Sequence, residues 1–176
     1  MITRVTVIGL GNRYRRDDAV GITAARALGE LAPPGVEVAT DIVDPLTLLD
    51  VWSGARLAVI IDAAVTTSST PGRVRCCDLD ELISSTHQLS SHSIDVGRTY
   101  ALGQALGRVP EALYIYAVDV ADTGHGIGLT PQVEQAVPDV VALAAAEIIR
   151  ATGVFVGPKG RCRMNREHFV GSDEDQ

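Results

Sequence analysis

The chain has 176 residues, of which 46% are hydrophobic and 21% are charged, and it carries a formal net charge of −7 at neutral pH. A chain of this length and composition can bury one hydrophobic core, so we expect a single globular domain. The negative charge argues against nucleic acid as a partner, and no apolar run is long enough to span a membrane. No basic segment and apolar core of a secretory signal precede the first predicted strand, which predicts a cytoplasmic protein.

The first segment, from Thr6 to Leu28, reads TVIGLGNRYRRDDAVGITAARAL. The β-branched residues at its start predict a buried strand, and Gly9 and Gly11 allow the tight turn that follows. An apolar stripe at helical spacing, ending at Leu28, predicts a helix after the turn.

Two adjacent carboxylates, Asp17 and Asp18, fall at the start of this predicted helix. One aspartate there is ordinarily a helix cap, but neighbouring residues point in different directions, so the second carboxylate is a candidate functional group. A dinucleotide site of the form GxGxxG is disfavoured, because Tyr14 stands at the position of the third glycine. The carboxylates that follow would also repel a pyrophosphate.

The remaining chain alternates between strand and helix patterns. Strands are predicted over residues 36–40, 57–61, 73–76 and 113–118, and helices over residues 45–52, 94–106 and 131–149. The run LAVII suits a central strand, and the alternation over 113–118 suits a strand at or near an edge. We therefore predict an α/β fold, a three-layer α/β/α sandwich with a mostly parallel sheet of about five strands, over residues 1–156. Residues 157–176 are predicted to be a polar, flexible tail.

Acidic residues follow two of the predicted strands. Asp18 comes after the turn of the first strand, and Asp62 closes the run LAVII. Ligands of open α/β sheets gather at the carboxyl ends of the parallel strands, so these carboxylates are candidate ligand-binding groups. A structural role for Asp62 in capping the next loop is the alternative.

The chain has four histidines, His87, His92, His125 and His168. A single histidine in a loop is most often a solvated polar residue. Two carboxylates and one imidazole together would nevertheless suit a borderline divalent metal such as nickel or zinc, with open positions left for a substrate.

Five segments carry a resemblance to a known family: GLGNRYRRDDAVG, LAVIIDAA, the TPG that follows it, SSHSIDV, and LYIYAVDVADTGHGIGLTPQVEQAVPDVV. In this order they resemble the motifs of the hydrogenase maturation endopeptidases, from about Thr3 to Ile149. The resemblance implies a hydrolase, a metal-dependent endopeptidase that trims the C-terminal extension from the large-subunit precursor of nickel-iron hydrogenases.

Position by position, the resemblance implies that Asp18, Asp62 and His92 are the catalytic, metal-contacting residues. His87, five residues earlier, is the alternative to His92. The resemblance also implies that the metal is nickel already inserted in the precursor, so that the site of the isolated protein is expected to be empty. The segment TDIVDPL departs from the glycine-rich DGGTAG stretch common in the family, which leaves open the role of Asp41 and the docking of substrate there.

Two other functions are compatible with the same residues. A non-proteolytic nickel-binding accessory protein of hydrogenase maturation would use the same three ligands. A small-ligand or nucleotide-binding α/β module would use Asp17 and Asp18 only as helix caps.

Overall fold

The computed structural model describes residues 4–31, 35–65, 70–77, 79 and 94–152. Five strands and four α-helices lie in these ranges. The strands are β1 (Val5–Gly9), β2 (Val36–Ala39), β3 (Leu57–Ala64), β4 (Val74–Cys77) and β5 (Ala112–Asp119). The helices are α1 (Val20–Leu31), α2 (Pro45–Trp52), α3 (Val96–Leu106) and α4 (Pro131–Thr152). A 3-10 turn, Arg16–Ala19, immediately precedes α1.

The strands form one sheet in the order β2-β1-β3-β5-β4. The first four are parallel, and β4 alone runs antiparallel to its neighbour β5. The prediction of a mostly parallel sheet of about five strands is confirmed, as is the prediction that β5 lies near an edge.

Two apolar cores cover the two faces of the sheet. The first joins β1, β3 and β5 to α1 and α4, and the second joins the opposite face of the same strands to α2 and α3. The fully buried Trp52 of α2 closes the second core, and its indole N–H donates a hydrogen bond of 3.0 Å to the carbonyl of Arg108. The predicted three-layer α/β/α sandwich is therefore confirmed.

Strand β3 is longer than its sequence pattern predicts. We expected it to end at Ile61, with Asp62 just beyond, but it continues to Ala64. The extension pairs in register with β5, where Asp62 faces Ala117 and Ala64 faces Asp119. Asp62 therefore lies inside a central strand, because cross-strand hydrogen bonding continues past the end of the apolar run.

Helix boundaries follow local capping chemistry. Helix α2 begins at Pro45, as predicted, and the side chain of Asp44 accepts hydrogen bonds from the backbone N–H groups of Leu46 and Thr47. Helix α3 begins two residues later than predicted because Asp95 is its N-cap. Within the described ranges, no helix is both long and apolar enough to cross a membrane. The tail predicted over residues 157–176 lies outside those ranges.

Candidate functional site

The start of α1 packs directly against the ends of β1 and β3. A Cβ atom added to Gly21 would lie 2.3 Å from the carbonyl oxygen of Ile61 and 2.4 Å from that of Leu10. Both distances are far below a normal van der Waals contact, so only glycine permits this approach. The glycine that permits this close approach lies inside the helix, at Gly21.

Asp18 lies in the 3-10 turn, at this same corner. Its side chain is 1% exposed, and its Oδ2 accepts a hydrogen bond of 2.9 Å from the backbone N–H of Asn12. Gly11 has a φ of +123°, and a Cβ there would lie 1.8 Å from the carbonyl oxygen of Asp18. The turn after β1 therefore packs closely against the backbone carbonyl of Asp18 at Gly11.

Asp62 is also 1% exposed, and its Oδ1 accepts a hydrogen bond of 2.8 Å from the N–H of Ala63. Its neighbours Ile61 and Ala63 belong to the core beneath α1 and α4. Because side chains alternate along a strand, Asp62 faces the layer of α2 and α3. The carbonyl of Ile61 accepts a bond of 2.9 Å from the N–H of Leu10, so Asp62 lies beside the turn that holds Asp18.

The histidines are placed differently. His87, His92 and His168 lie outside the described residues, whereas His125 is exposed in the loop between β5 and α4. Among the residues with described positions, no three His, Cys, Asp or Glu side chains are grouped in a way that could hold a metal ion. A metal site with a histidine from residues 80–93 remains a prediction.

Asp17 has a role that the sequence pattern did not reveal. It is 0% exposed, and its carboxylate accepts hydrogen bonds from the loop between β5 and α4. Its Oδ1 accepts from the N–H of Thr130 at 2.6 Å. Its Oδ2 accepts from the N–H groups of Ala121 and Asp122 at 3.1 and 3.0 Å, and from the Thr130 hydroxyl at 2.9 Å. The N-cap position of the 3-10 turn is Arg15, and the hydrogen bonds described for the Asp17 carboxylate go to the loop between β5 and α4.

Further contacts join the segment from Tyr14 to Asp17 to the same loop. Tyr14 and Arg16 exchange backbone hydrogen bonds with Gly126, at 2.9 and 3.0 Å, and the N–H of Asp17 donates to the carbonyl of Asp122 at 3.0 Å. Arg16 also forms an ion pair of 3.4 Å with Asp122. Arg16 has a φ of +46°, and it is the only non-glycine residue with a positive φ in the described ranges. The segment next to Asp18 therefore contains a strained backbone at Arg16, and several hydrogen bonds hold it to the loop between β5 and α4.

An open groove of about 340 Å³ borders this corner. Its walls come from the turn after β1, the segment after β2 and the residue that leads into α3. The residues that line it are Leu10, Gly11, Asn12, Arg13, Tyr14, Ile22, Thr40, Asp41, Ile42, Val43 and Ile94. An ion pair of 2.9 Å between Arg13 and Asp41 joins two of the walls. The segment TDIVDPL thus contributes a wall of the groove despite its lack of glycine.

Comparison with known proteins gives a consistent result. A family model described as hydrogenase maturation protease matches residues 40–147. The hydrogenase 2 maturation protease of Escherichia coli K12 is 26% identical over 159 residues, which cover 89% of this chain and 96% of that protein.

Solved structures of similar fold come from the same group of proteins. The hydrogenase maturating endopeptidase HybD of E. coli superposes with a TM-score of 0.75 at 25% identity, over 85% of this chain and 94% of its own. The [NiFe] hydrogenase maturation protease HybD of Thermococcus kodakarensis superposes with a TM-score of 0.65 at 25% identity, over 82% and 98% of the two chains.

Proposed function

The chain belongs to the hydrogenase maturation protease family, and on this premise we propose that it removes the C-terminal extension from a nickel-iron hydrogenase large-subunit precursor. It acts after nickel insertion and recognises the nickel that the precursor carries. The metal is then part of the substrate and not a resident cofactor. We further propose that the reaction takes place in the cytoplasm.

The observation that carries this proposal is the pair of almost fully buried carboxylates, Asp18 and Asp62, near the point where β1 ends beside β3. Burial of an ionised carboxylate is costly unless hydrogen bonds or a cation compensate it. Each has one oxygen bonded to a backbone N–H, of Asn12 and Ala63 respectively. Carboxylate oxygens of this kind are suitable ligands for a divalent nickel ion presented by a substrate.

We propose His92 as the third ligand, because SSHSIDV continues directly into the next helix as the resemblance implies, with His87 as the alternative. Ile94 lines the groove and packs on the core beneath α2 and α3, the face toward which Asp62 points. His92 is two residues from Ile94, a span of at most about 7 Å, whereas seven residues separate His87 from it, a span of up to about 25 Å. The shorter connection to Ile94 favours His92 as the proposed ligand, although His92 itself lies outside the described residues.

Binding of the precursor's nickel would position the scissile peptide bond beside the same corner. Hydrolysis adds the oxygen of water to the carbonyl carbon and gives a proton to the leaving amine. Since holding the reacting groups together supplies much of the rate of such a reaction, nickel recognition and cleavage are coupled through geometry. A precursor without nickel would lack this anchor and stay uncleaved.

The groove provides space for the chain on either side of the scissile bond. It starts at Gly11 and Asn12, beside Asp18, and continues toward Ile42 and Val43. We propose that it receives an extended segment of the precursor, with apolar contacts from the walls and the Arg13–Asp41 ion pair at its margin.

The test is a cleavage assay on a large-subunit precursor prepared with and without nickel, read by mass spectrometry. We expect the protein to release a C-terminal peptide only from the nickel-loaded precursor. Asp18→Ala, Asp62→Ala and His92→Ala should each abolish the release, while His87→Ala should cleave normally. Circular dichroism of each variant verifies that it is folded.

Other outcomes would change the proposal in specific ways. Cleavage that survives in His92→Ala but not in His87→Ala would move the imidazole ligand to His87. Equal cleavage of both precursor forms would show that nickel is not recognised. If the protein binds the nickel-loaded precursor without cleaving it, it is a non-proteolytic nickel-binding accessory protein instead.

A further inference from the structure

We propose that Asp17 is a positioning residue, which fixes Asp18 for contact with the substrate by tying the 3-10 turn to the loop between β5 and α4. This inference rests on the proposed function, since it assigns Asp18 the contact with nickel. Asp17 itself touches no substrate in this scheme.

Asp17 both accepts hydrogen bonds from the loop between β5 and α4 and donates one to it. The carboxylate of Asp17 accepts from Ala121, Asp122 and Thr130, and its own N–H donates to the carbonyl of Asp122. Asp17 is fully buried, so water does not compete for these bonds. The backbone on the amino-terminal side of Asp18 is therefore held against a loop that is distant in sequence.

Asp18 is also held from its other side. Its Oδ2 accepts from the N–H of Asn12, and Gly11 packs against its carbonyl oxygen. Asp18 is thus held by the turn after β1 and also, through its neighbour Asp17, by the loop between β5 and α4. Release of the second would allow the 3-10 turn to move while the sheet stays intact.

The chemistry of the tie requires a carboxylate. Both oxygens of Asp17 face donors, with Thr130 on Oδ1 and three hydrogen-bond donors on Oδ2. An asparagine of the same shape would place its NH₂ group against an N–H donor on one side or the other. The negative charge also lies at the start of α4, where the helix dipole stabilises it.

The experiment compares Asp17→Asn with Thr130→Val, which removes only the hydroxyl donor and keeps the backbone bond. The control is Asp119→Asn, which alters another buried carboxylate whose described partners, Arg75 and Thr70, do not belong to the turn that holds Asp18. All are assayed at temperatures at which each variant is folded.

For cleavage of the nickel-loaded precursor, we expect kcat/KM to fall by about tenfold or more in Asp17→Asn, since a misplaced contact can cost up to about a hundredfold. Thr130→Val should show a smaller fall, and Asp119→Asn a change of less than about twofold. A fall in Asp119→Asn equal to that in Asp17→Asn would reduce the effect to general destabilisation and overturn the proposal.

Amide hydrogen exchange of the free protein tests the same inference without any activity. The N–H of Asn12 reports on Asp18, and the N–H of Leu10, bonded to Ile61, reports on the sheet. We expect exchange at Asn12 to become about tenfold faster in Asp17→Asn, with Leu10 unchanged. Unchanged protection at Asn12 would overturn the proposal.

The two readouts separate the proposals. If the wild-type protein does not cleave any precursor while Asn12 loses protection in Asp17→Asn, the proposed function fails and the structural tie stands. If the precursor is cleaved but Asp17→Asn has normal kcat/KM and normal protection at Asn12, the tie is not a positioning device.

Discussion

Two buried aspartates, Asp17 and Asp119, lie at the carboxyl edge of one sheet and are stabilised in opposite ways. Asp17, 0% exposed, accepts from backbone N–H groups and a hydroxyl of the loop between β5 and α4. Asp119, 2% exposed, accepts two bonds from the guanidinium of Arg75, at 3.1 and 2.6 Å, and a weaker one from the N–H of Thr70. The first carboxylate joins two loops, and the second joins two strands.

If Asp17 positions Asp18 as proposed, burial alone does not distinguish a carboxylate that organises the site from one that stabilises the sheet. An opposite charge compensates Asp119 within the edge of the sheet, so its effects remain there. Asp17 receives neutral donors from a loop, and the residue beside it is Asp18. The partners of a buried carboxylate, more than its exposure, therefore indicate its role.

The largest effect on stability is expected at Gly21, which allows α1 to pack against β3 and the turn after β1. Gly21→Ala would place a Cβ 2.3 Å from one backbone carbonyl and 2.4 Å from another, neither of which can rotate away. We expect a loss of about 3 kcal/mol or more in the free energy of unfolding, at the upper end of overpacking changes. Urea denaturation followed by circular dichroism measures it.

The matched control is Gly54→Ala, where an added Cβ meets nothing within 4 Å and only the positive φ of +72° opposes it. Its cost should be about 1–2 kcal/mol. If Gly21→Ala is no worse than Gly54→Ala, the close approach of α1 to the strands is not what holds the corner.

The second largest effect on stability is expected at Asp119, which pairs with Arg75 between two strands. Asp119→Ala removes the partner of Arg75 and should lower the free energy of unfolding by about 2 kcal/mol, because hydrogen bonds to charged groups contribute about 1.5–3 kcal/mol. A double-mutant cycle with Arg75→Met isolates the pair. Additive effects of the two substitutions would show that the ion pair contributes no coupling energy.

A smaller effect concerns pH and the buried Glu147 of α4. Burial raises the pKa of Glu147 above its usual value, against the opposing effects of the Arg150 cation and the hydrogen bond with Tyr114. The folded protein therefore binds a proton more tightly at this group than the unfolded chain does. This contribution to stability is complete below about pH 4.5 and is lost as the pH rises through the folded pKa.

Glu147→Gln should therefore stabilise the protein more at pH 7 than at pH 4, relative to the wild type. The comparison requires chemical denaturation at both pH values, with Glu111→Gln as an exposed control expected to show no such trend. A larger benefit at pH 4 than at pH 7 would contradict the direction of the shift.

The smallest effect on stability is expected at the exposed ion pair beside the groove. Arg13 and Asp41 are 42% and 79% exposed, so Asp41→Asn should change the free energy of unfolding by no more than about 0.5 kcal/mol. If the groove receives the precursor, the same substitution should raise KM with little change in kcat. An unchanged KM would remove Asp41 from substrate docking.

The sequence predicted the layers and the strand pattern well. Apolar patterns located α2, which begins at Pro45 as predicted, and the central strand β3. These features depend on contacts close in sequence, which is why a local pattern reveals them.

The features that the sequence did not predict depend on distant contacts. The continuation of β3 past Asp62 requires pairing with β5, more than fifty residues away. The role of Asp17 requires donors from residues 121–130, and no spacing rule links them. The prediction that Asp18 is a site residue comes from the resemblance to a family, whereas nothing local distinguished Asp18 from its neighbour Asp17.

The positive φ of Arg16 has a cost in stability. A left-handed backbone at a residue with a side chain is less stable than the right-handed form by about 1–2 kcal/mol, a cost that glycine would avoid. Glycine would, however, lose the guanidinium that reaches Asp122. Arg16→Gly should thus gain backbone stability while loosening the loop contact next to Asp18, which makes this position a trade-off between robustness and catalytic competence.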